Sequence, residues 1–236
     1  SLFDNNVFYD TQPILEGPGT ARCFIFVTPD AQRTMNTYIG ACSLLNPEDI
    51  DEKLVQNSKI TYLEGYCWEE QLAKESLIKA AEIAHKFGNK VSLTLSDPFC
   101  VERHRNEFKD LIKKHVDILF ANEMEIKKLY EINNFDESAK EISSITEIAA
   151  LTRSEKGAKI YNDKEVIEIK PKIFGKVIDT TGAGDLFAAG FLYGLSKKFS
   201  ILESGNIASI AAGEIISHFG AKPETNLKNL ISKELK

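Results

Sequence analysis

Short apolar runs alternate with amphipathic ones through the middle of the chain, and this alternation sets the class of fold. Residues 60–63, 91–95, 117–121 and 148–151 have the length and composition of buried strands. Residues 69–87, 101–115, 123–131 and 136–143, which fall between them, carry the helical period. In the first of these, Leu72, Leu77, Ala80, Ala81 and Ala84 lie on or near one face. Strands that alternate with helices form a mostly parallel sheet covered on both faces. A sheet of that kind binds ligands beyond the carboxyl ends of its strands.

Two hairpins flank this core. Residues 21–27 and 34–39 are β-rich and enclose the turn-forming stretch 28–33, so a hairpin is expected within 18–42. Residues 159–161 and 166–169 read as a second hairpin around Asn162-Asp163-Lys164. Asn46-Pro47-Glu48-Asp49 reads as a helix start. Two closing helices are expected over 183–197 and 201–218. Ser200 and Glu203 supply a capping box for the second.

A chain of 236 residues with 43% hydrophobic side chains can build one sizeable domain. Its formal net charge of -6 argues against a nucleic-acid surface, which needs clustered Lys and Arg. The four cysteines form no CxxC pair, so neither disulfides nor a structural zinc are expected, and a reducing cytoplasm is the natural setting. No apolar run is long enough to span a bilayer, and residues 1–10 carry acids where a signal peptide needs basic residues. The four histidines show no metal spacing and read as structural. Neither a P-loop nor a GxGxxG dinucleotide fingerprint occurs.

The chemistry concentrates in Asp179-Thr180-Thr181-Gly182-Ala183-Gly184-Asp185. This stretch follows the strand-like run Lys176-Val177-Ile178 and opens a helix. Glycines at such a junction allow a tight turn with uncovered N–H groups, and the positive end of a helix favours anions. Asp185, in the first turn, is placed to take a proton from a hydroxyl held nearby. An anion cradle beside a carboxylate suits phosphoryl transfer to an alcohol. The same residues also fit a plain tight connection, with Asp185 stabilising the helix dipole.

This stretch, continued by Leu186-Phe187-Ala188-Ala189-Gly190-Phe191, resembles the carboxyl-terminal signature of the ribokinase-like (PfkB) carbohydrate and nucleoside kinases. The resemblance implies a three-layer α/β/α fold with a small β lid. It implies ATP and Mg2+ as cofactors, and K+ as a further one. It casts Gly182, Ala183 and Gly184 as the anion hole and Asp185 as the catalytic base. Asn122-Glu123-Met124-Glu125 is similar to the family's Asn-x-x-Glu, which implies that Asn122 and Glu125 organise magnesium and phosphate through water. A capping box explains the same spacing. Thr152-Arg153-Ser154-Glu155-Lys156-Gly157 is similar to the family's nucleotide loop, with Thr152, Ser154 and Gly157 as its contacts. It departs at Ser154, where Gly is usual, and it also reads as a plain connecting loop.

By the same resemblance, Asn206 and the loop at Gly220 would border the adenine. Asp179, Thr181 and the Gly220 region resemble a monovalent-cation site. Arg33 resembles a lid arginine that approaches the phosphates; otherwise it is an exposed strand-edge cation. Asp97 either faces the phosphates or caps the next turn. Residues 97–108 and Tyr62-Leu63-Glu64-Gly65-Tyr66 look most like the adenosine-kinase-type branch.

The family's opening strand with its Asp, and its Gly-Gly-Asn region, are not found in this sequence. Leu2-Phe3 reads as joining partway along the helix before the lid, so 1–236 is expected to be one kinase domain without its amino-terminal part. A primary hydroxyl of an adenosine-like nucleoside is the expected acceptor, with a ribose- or fructose-type sugar as the alternative. A non-catalytic nucleotide-binding module is the other alternative. A homodimer through the lid would be compatible with either outcome, and no nucleic-acid or membrane partner is expected.

Overall fold

A computed structural model describes residues 2, 7–9, 11–163 and 165–235. Phe3 and Lys164, which enter the expectations for the chain start and for the second hairpin turn, lie outside the described residues. Strands β1 (Arg22–Val27) and β2 (Arg33–Tyr38) pair antiparallel as a separate ribbon. Helix α1 (Glu52–Asn57) precedes a second, six-stranded sheet. That sheet contains β3 (Ile60–Glu64), β4 (Lys90–Thr94), β5 (Ile118–Asn122), β6 (Ile148–Thr152), β7 (Ala158–Asn162) and β8 (Glu165–Ile169), and these strands neighbour one another in chain order. The first four are parallel, and β7 and β8 turn back antiparallel.

Alternation along the inner strands divides the core into two layers. Leu119, Ala121, Ala149 and Leu151 face a cluster with α2 (Gln71–Lys86), α3 (Pro98–Arg103), α4 (Arg105–His115), α5 (Glu123–Tyr130) and α6 (Phe135–Ser143). Ile118, Phe120, Ile148 and Ala150 face the opposite cluster, which contains Phe187, Phe191 and Ala208 of α7 (Ala183–Ser196) and α8 (Ile201–Ile215). A strand buried on both faces must be apolar at successive positions, which is why these runs read as continuous.

Helices α7 and α8 pack closely because small residues let their backbones meet. A Cβ on Gly190 would lie 2.8 Å from the Ala208 Cα. Phe191 is fully buried and meets Phe120 edge-on, with ring centroids 5.8 Å apart. That contact fixes α7, and hence its amino terminus, against β5.

Several expectations need correction. The run Lys176-Val177-Ile178 joins no strand ladder; the Ile178 N–H instead donates to the Ile216 carbonyl at 2.9 Å. The helix expected over 101–115 is two helices, α3 and α4, broken at His104 (φ -116°, ψ 25°). Asp97 caps α3, accepting from the Phe99 and Cys100 N–H groups at 2.8 and 3.0 Å. Asn46 starts only a short 3-10 turn, Pro47–Asp49. Helix α9 (Leu227–Glu234) was not anticipated. Among the described residues, no helix is long and apolar enough to cross a membrane.

Candidate active site

The amino terminus of α7 has no side-chain cap. Its N-cap, Gly182, is left-handed (φ +79°), and an added Cβ would press on Ala221 at 3.2 Å. Glycine is therefore required there on both conformational and steric grounds. A Cβ on Gly184 would meet nothing within 4 Å, so the space over the first turn is open. The Ala183 N–H donates to the Thr180 carbonyl at 3.3 Å, which closes the turn before the helix. Asp185 is exposed on that first turn.

Asp179 anchors the loop from below. It is buried, and its Oδ1 accepts from the Thr181 N–H (2.9 Å) and hydroxyl (2.6 Å). Its Oδ2 accepts from the Gly220 N–H at 3.0 Å. Burial works against the charge, yet these hydrogen bonds and the nearby Arg33 hold the carboxyl below its ordinary range. The expected grouping of Asp179, Thr181 and Gly220 is therefore present as a bonded cluster. Arg33 reaches the same loop from β2, donating to the Thr180 hydroxyl at 2.6 Å.

The other wall of the site is acidic. Glu64, at the carboxyl end of β3, accepts from the Ser96 hydroxyl at 2.9 Å. Burial raises its carboxyl above the ordinary range, and the charge of Asp185 adds to the effect. Tyr62, two residues earlier, is shifted strongly upward by burial and by Glu64, with a smaller push from Asp185. The Tyr66 hydroxyl is raised to about 12, chiefly by burial and then by Asp97, Glu125 and Glu64, with Arg33 opposing. Tyr62 and Glu64 stood in the sequence only as part of a branch resemblance, with no site role, and Ser96 was not singled out. A carboxylate at the carboxyl end of a parallel strand was the available signal. Ser96 is left-handed (φ 67°), a strained conformation of the kind that collects at functional sites.

Asn122 and Glu125 form a full capping box on α5. The Asn122 N–H and side-chain amide donate to the two Glu125 oxygens at 2.8 and 2.6 Å, and the Glu125 N–H donates back at 2.9 Å. Burial raises the Glu125 carboxyl to about 7. Between about pH 4.5 and 7 the folded protein thus holds more protons here than the unfolded chain. Stability is expected to fall as pH rises through that window and to level off above it, by on the order of 3 kcal/mol. Urea unfolding at pH 5 and 7.5 should show this slope in the wild type and lose it in Glu125→Gln. A slope that persisted in the variant would place the proton elsewhere.

Thr152 ends β6 directly beside Asn122 in the parallel ladder. Ser154 occupies the left-handed region (φ 51°), where the resemblance called for glycine, and Gly157 follows at φ +79° with the Ile169 carbonyl against its Cα. The neighbouring Arg153 pairs with Glu123 at 3.2 Å and stacks on Phe135 at 4.2 Å. Asn206 is half-buried on α8. Among the described residues, no hydrogen bond joins Thr152, Ser154, Gly157 or Asn206 to the 179–185 loop, and no group of three His, Cys, Asp or Glu is arranged to hold a metal.

Known proteins share this fold. A probable sugar kinase of Rhizobium etli is 44% identical with a TM-score of 0.96, over 99% of this chain and 71% of that one. The adenosine kinase of Sinorhizobium meliloti is 41% identical with a TM-score of 0.96, over 99% and 72%. An uncharacterized sugar kinase of Archaeoglobus fulgidus is 29% identical over 86% of this chain and 78% of its own length. These likenesses make the fold the ribokinase-like α/β/α sandwich anticipated from sequence. The sequence further matches the pfkB family of carbohydrate kinases over residues 1–227, and the chain that folds into this layered sheet is therefore a member of that family.

Proposed function

We propose that the protein transfers the γ-phosphoryl group of ATP to a primary hydroxyl of an adenosine-like nucleoside. The observation that carries this reading is Asp185, an exposed carboxylate in the first turn of a helix whose N–H groups have no side-chain cap. Asp185 takes the hydroxyl proton, the oxygen attacks the γ-phosphorus, and the bond to ADP breaks. The N–H groups of Gly182 and Gly184 would face the travelling phosphoryl oxygens, that of Ala183 would join them on leaving its long 3.3 Å bond to the Thr180 carbonyl, and Arg33 would offset charge from the hairpin side. Both Glu125 oxygens already accept from Asn122. That donor set suits a magnesium that arrives with the nucleotide and keeps its waters, rather than one caged by protein.

Thr152, Ser154 and Gly157 would line the nucleotide path, with Asn206 and Gly220 beside the adenine. Asp179 is solvated by N–H and O–H dipoles but forms no salt bridge among the described residues, a setting that fits a monovalent cation such as K+ alongside Thr181. Exchanging K+ for choline should then lower activity. Phe24 and Phe26 are exposed on the hairpin face opposite Arg33, where a second copy would pair; sedimentation reads that state.

The likeness to a protein named adenosine kinase favours a nucleoside, and the likeness to a probable sugar kinase favours a sugar. ADP release by the full-length protein with adenosine, ribose and fructose decides between them. Adenosine is expected to be turned over fastest. Turnover of a sugar alone would shift the acceptor, and ATP binding without turnover of any acceptor would leave a nucleotide-binding module.

A further inference from the structure

We propose that Thr180 is a positioning residue whose hydroxyl seats the tip of the β1–β2 hairpin, and with it Arg33, on the anion loop. Every residue of β2 is exposed, and in β1 only Val27 is partly covered. A two-stranded ribbon is marginal without packing against something else. From residue 22 to residue 40, only Ala31 at the tip and Gly40 at the base are buried. The placement of the hairpin therefore rests on those two ends.

Thr180 holds the tip end. Its hydroxyl accepts from the Arg33 guanidinium at 2.6 Å and donates to the Ala31 carbonyl at 3.4 Å. One side chain thus uses its donor and an acceptor on two residues of the same turn, across 147 positions of sequence. Ala31 is left-handed (φ 62°) although it is not glycine, so the turn keeps a costly backbone conformation where it meets the loop. Thr180 lies two residues before the glycine that opens α7, so the bond fixes the guanidinium beside the anion cradle. Arg33 is near enough to Asp179 and Tyr66 for its charge to act on both. A hydrogen bond to a charged donor is among the stronger kinds.

The catalytic consequence rests on the phosphotransfer reading, whereas the seating does not, and the experiment separates the two. In the full-length protein, Thr180→Val keeps the shape and removes both bonds. Hydrogen exchange at the Thr28 and Ala31 amides, which are bonded within the turn, is expected to quicken about tenfold. Thr180→Ser should restore slow exchange. ATP turnover should fall about tenfold in Thr180→Val. Adding Arg33→Gln should cost little more than Arg33→Gln alone, because both changes break one contact.

Asp185→Asn should lower turnover far more than Thr180→Val does and leave the tip amides slow. Unchanged exchange in Thr180→Val would overturn the seating, whether or not the protein proves to be a kinase. Fast exchange with unchanged turnover, or fully additive losses in the double variant, would overturn the positioning role. Should Thr180→Val unfold the chain, Arg33→Met removes the shorter of the two bonds from the hairpin side without supplying a new donor, and tip amides as slow there as in the wild type would overturn the seating of Arg33 through Thr180.

Discussion

Replacing Asp185 by Asn should lower turnover by about 10²–10⁴-fold while ATP affinity stays near its wild-type value. The amide has nearly the shape of the carboxylate, and the side chain is exposed, so the fold has little to lose. The capacity to take a proton disappears, together with the negative charge that acts on Glu64 and Tyr62. Separate measurements of kcat and of nucleotide binding by calorimetry check both halves. A variant that kept turnover within a fewfold would remove Asp185 as the base. A variant that lost nucleotide binding instead would make the carboxylate a structural part of the loop. Glu64 lies close enough for Asp185 to raise its carboxyl, so it is the group to examine for residual activity.

The second large effect concerns stability. Phe191→Ala is expected to cost about 3–5 kcal/mol of unfolding free energy. The ring is fully buried and packs edge-on against Phe120, in the cluster that joins α7 to the sheet. Backbone contact between Gly190 and Ala208 leaves α7 and α8 little room to close the cavity. Chemical denaturation followed by circular dichroism reads the loss, and a cost below about 1 kcal/mol would show that the helices can collapse into the space. Asp185→Asn should leave the same denaturation curve unmoved, which separates the chemistry at the start of α7 from the packing along it.

Much of this was legible from residue order because local pattern and tertiary placement agree. The strands from β3 to β6 were readable since burial on both faces demands unbroken apolar runs, and Ser200 with Glu203 announced α8 through an actual capping box. Residues 176–178 misled because a β-rich composition says nothing about whether a ladder partner is within reach; the Ile178 N–H bonds instead to Ile216 at the end of α8. His104 breaks a helix without Gly or Pro to mark the place. At the site, a run of seven consecutive residues was enough to find the loop. Glu64 and Tyr62 were harder to assign to the site, because their closeness to Asp185 depends on how α7 is laid across the sheet, and Ser96 joins them only through its bond to Glu64. Ser154 shows the reverse: an apparent departure from a glycine pattern marks a position that still adopts the left-handed backbone glycine favours.

The division of β5 and β6 between two helical layers also bears on what mutation can do to this gene. Neighbouring codons in β5 serve opposite sides of the molecule, Leu119 and Ala121 one side and Ile118 and Phe120 the other. Removing a single codon there would exchange the two sets and misalign the strand with both of its neighbours at once. In-frame deletions should accordingly be purged from residues 118–122 far more strictly than from the turn at 131–134, even though many substitutions between similar apolar side chains would pass in the strand.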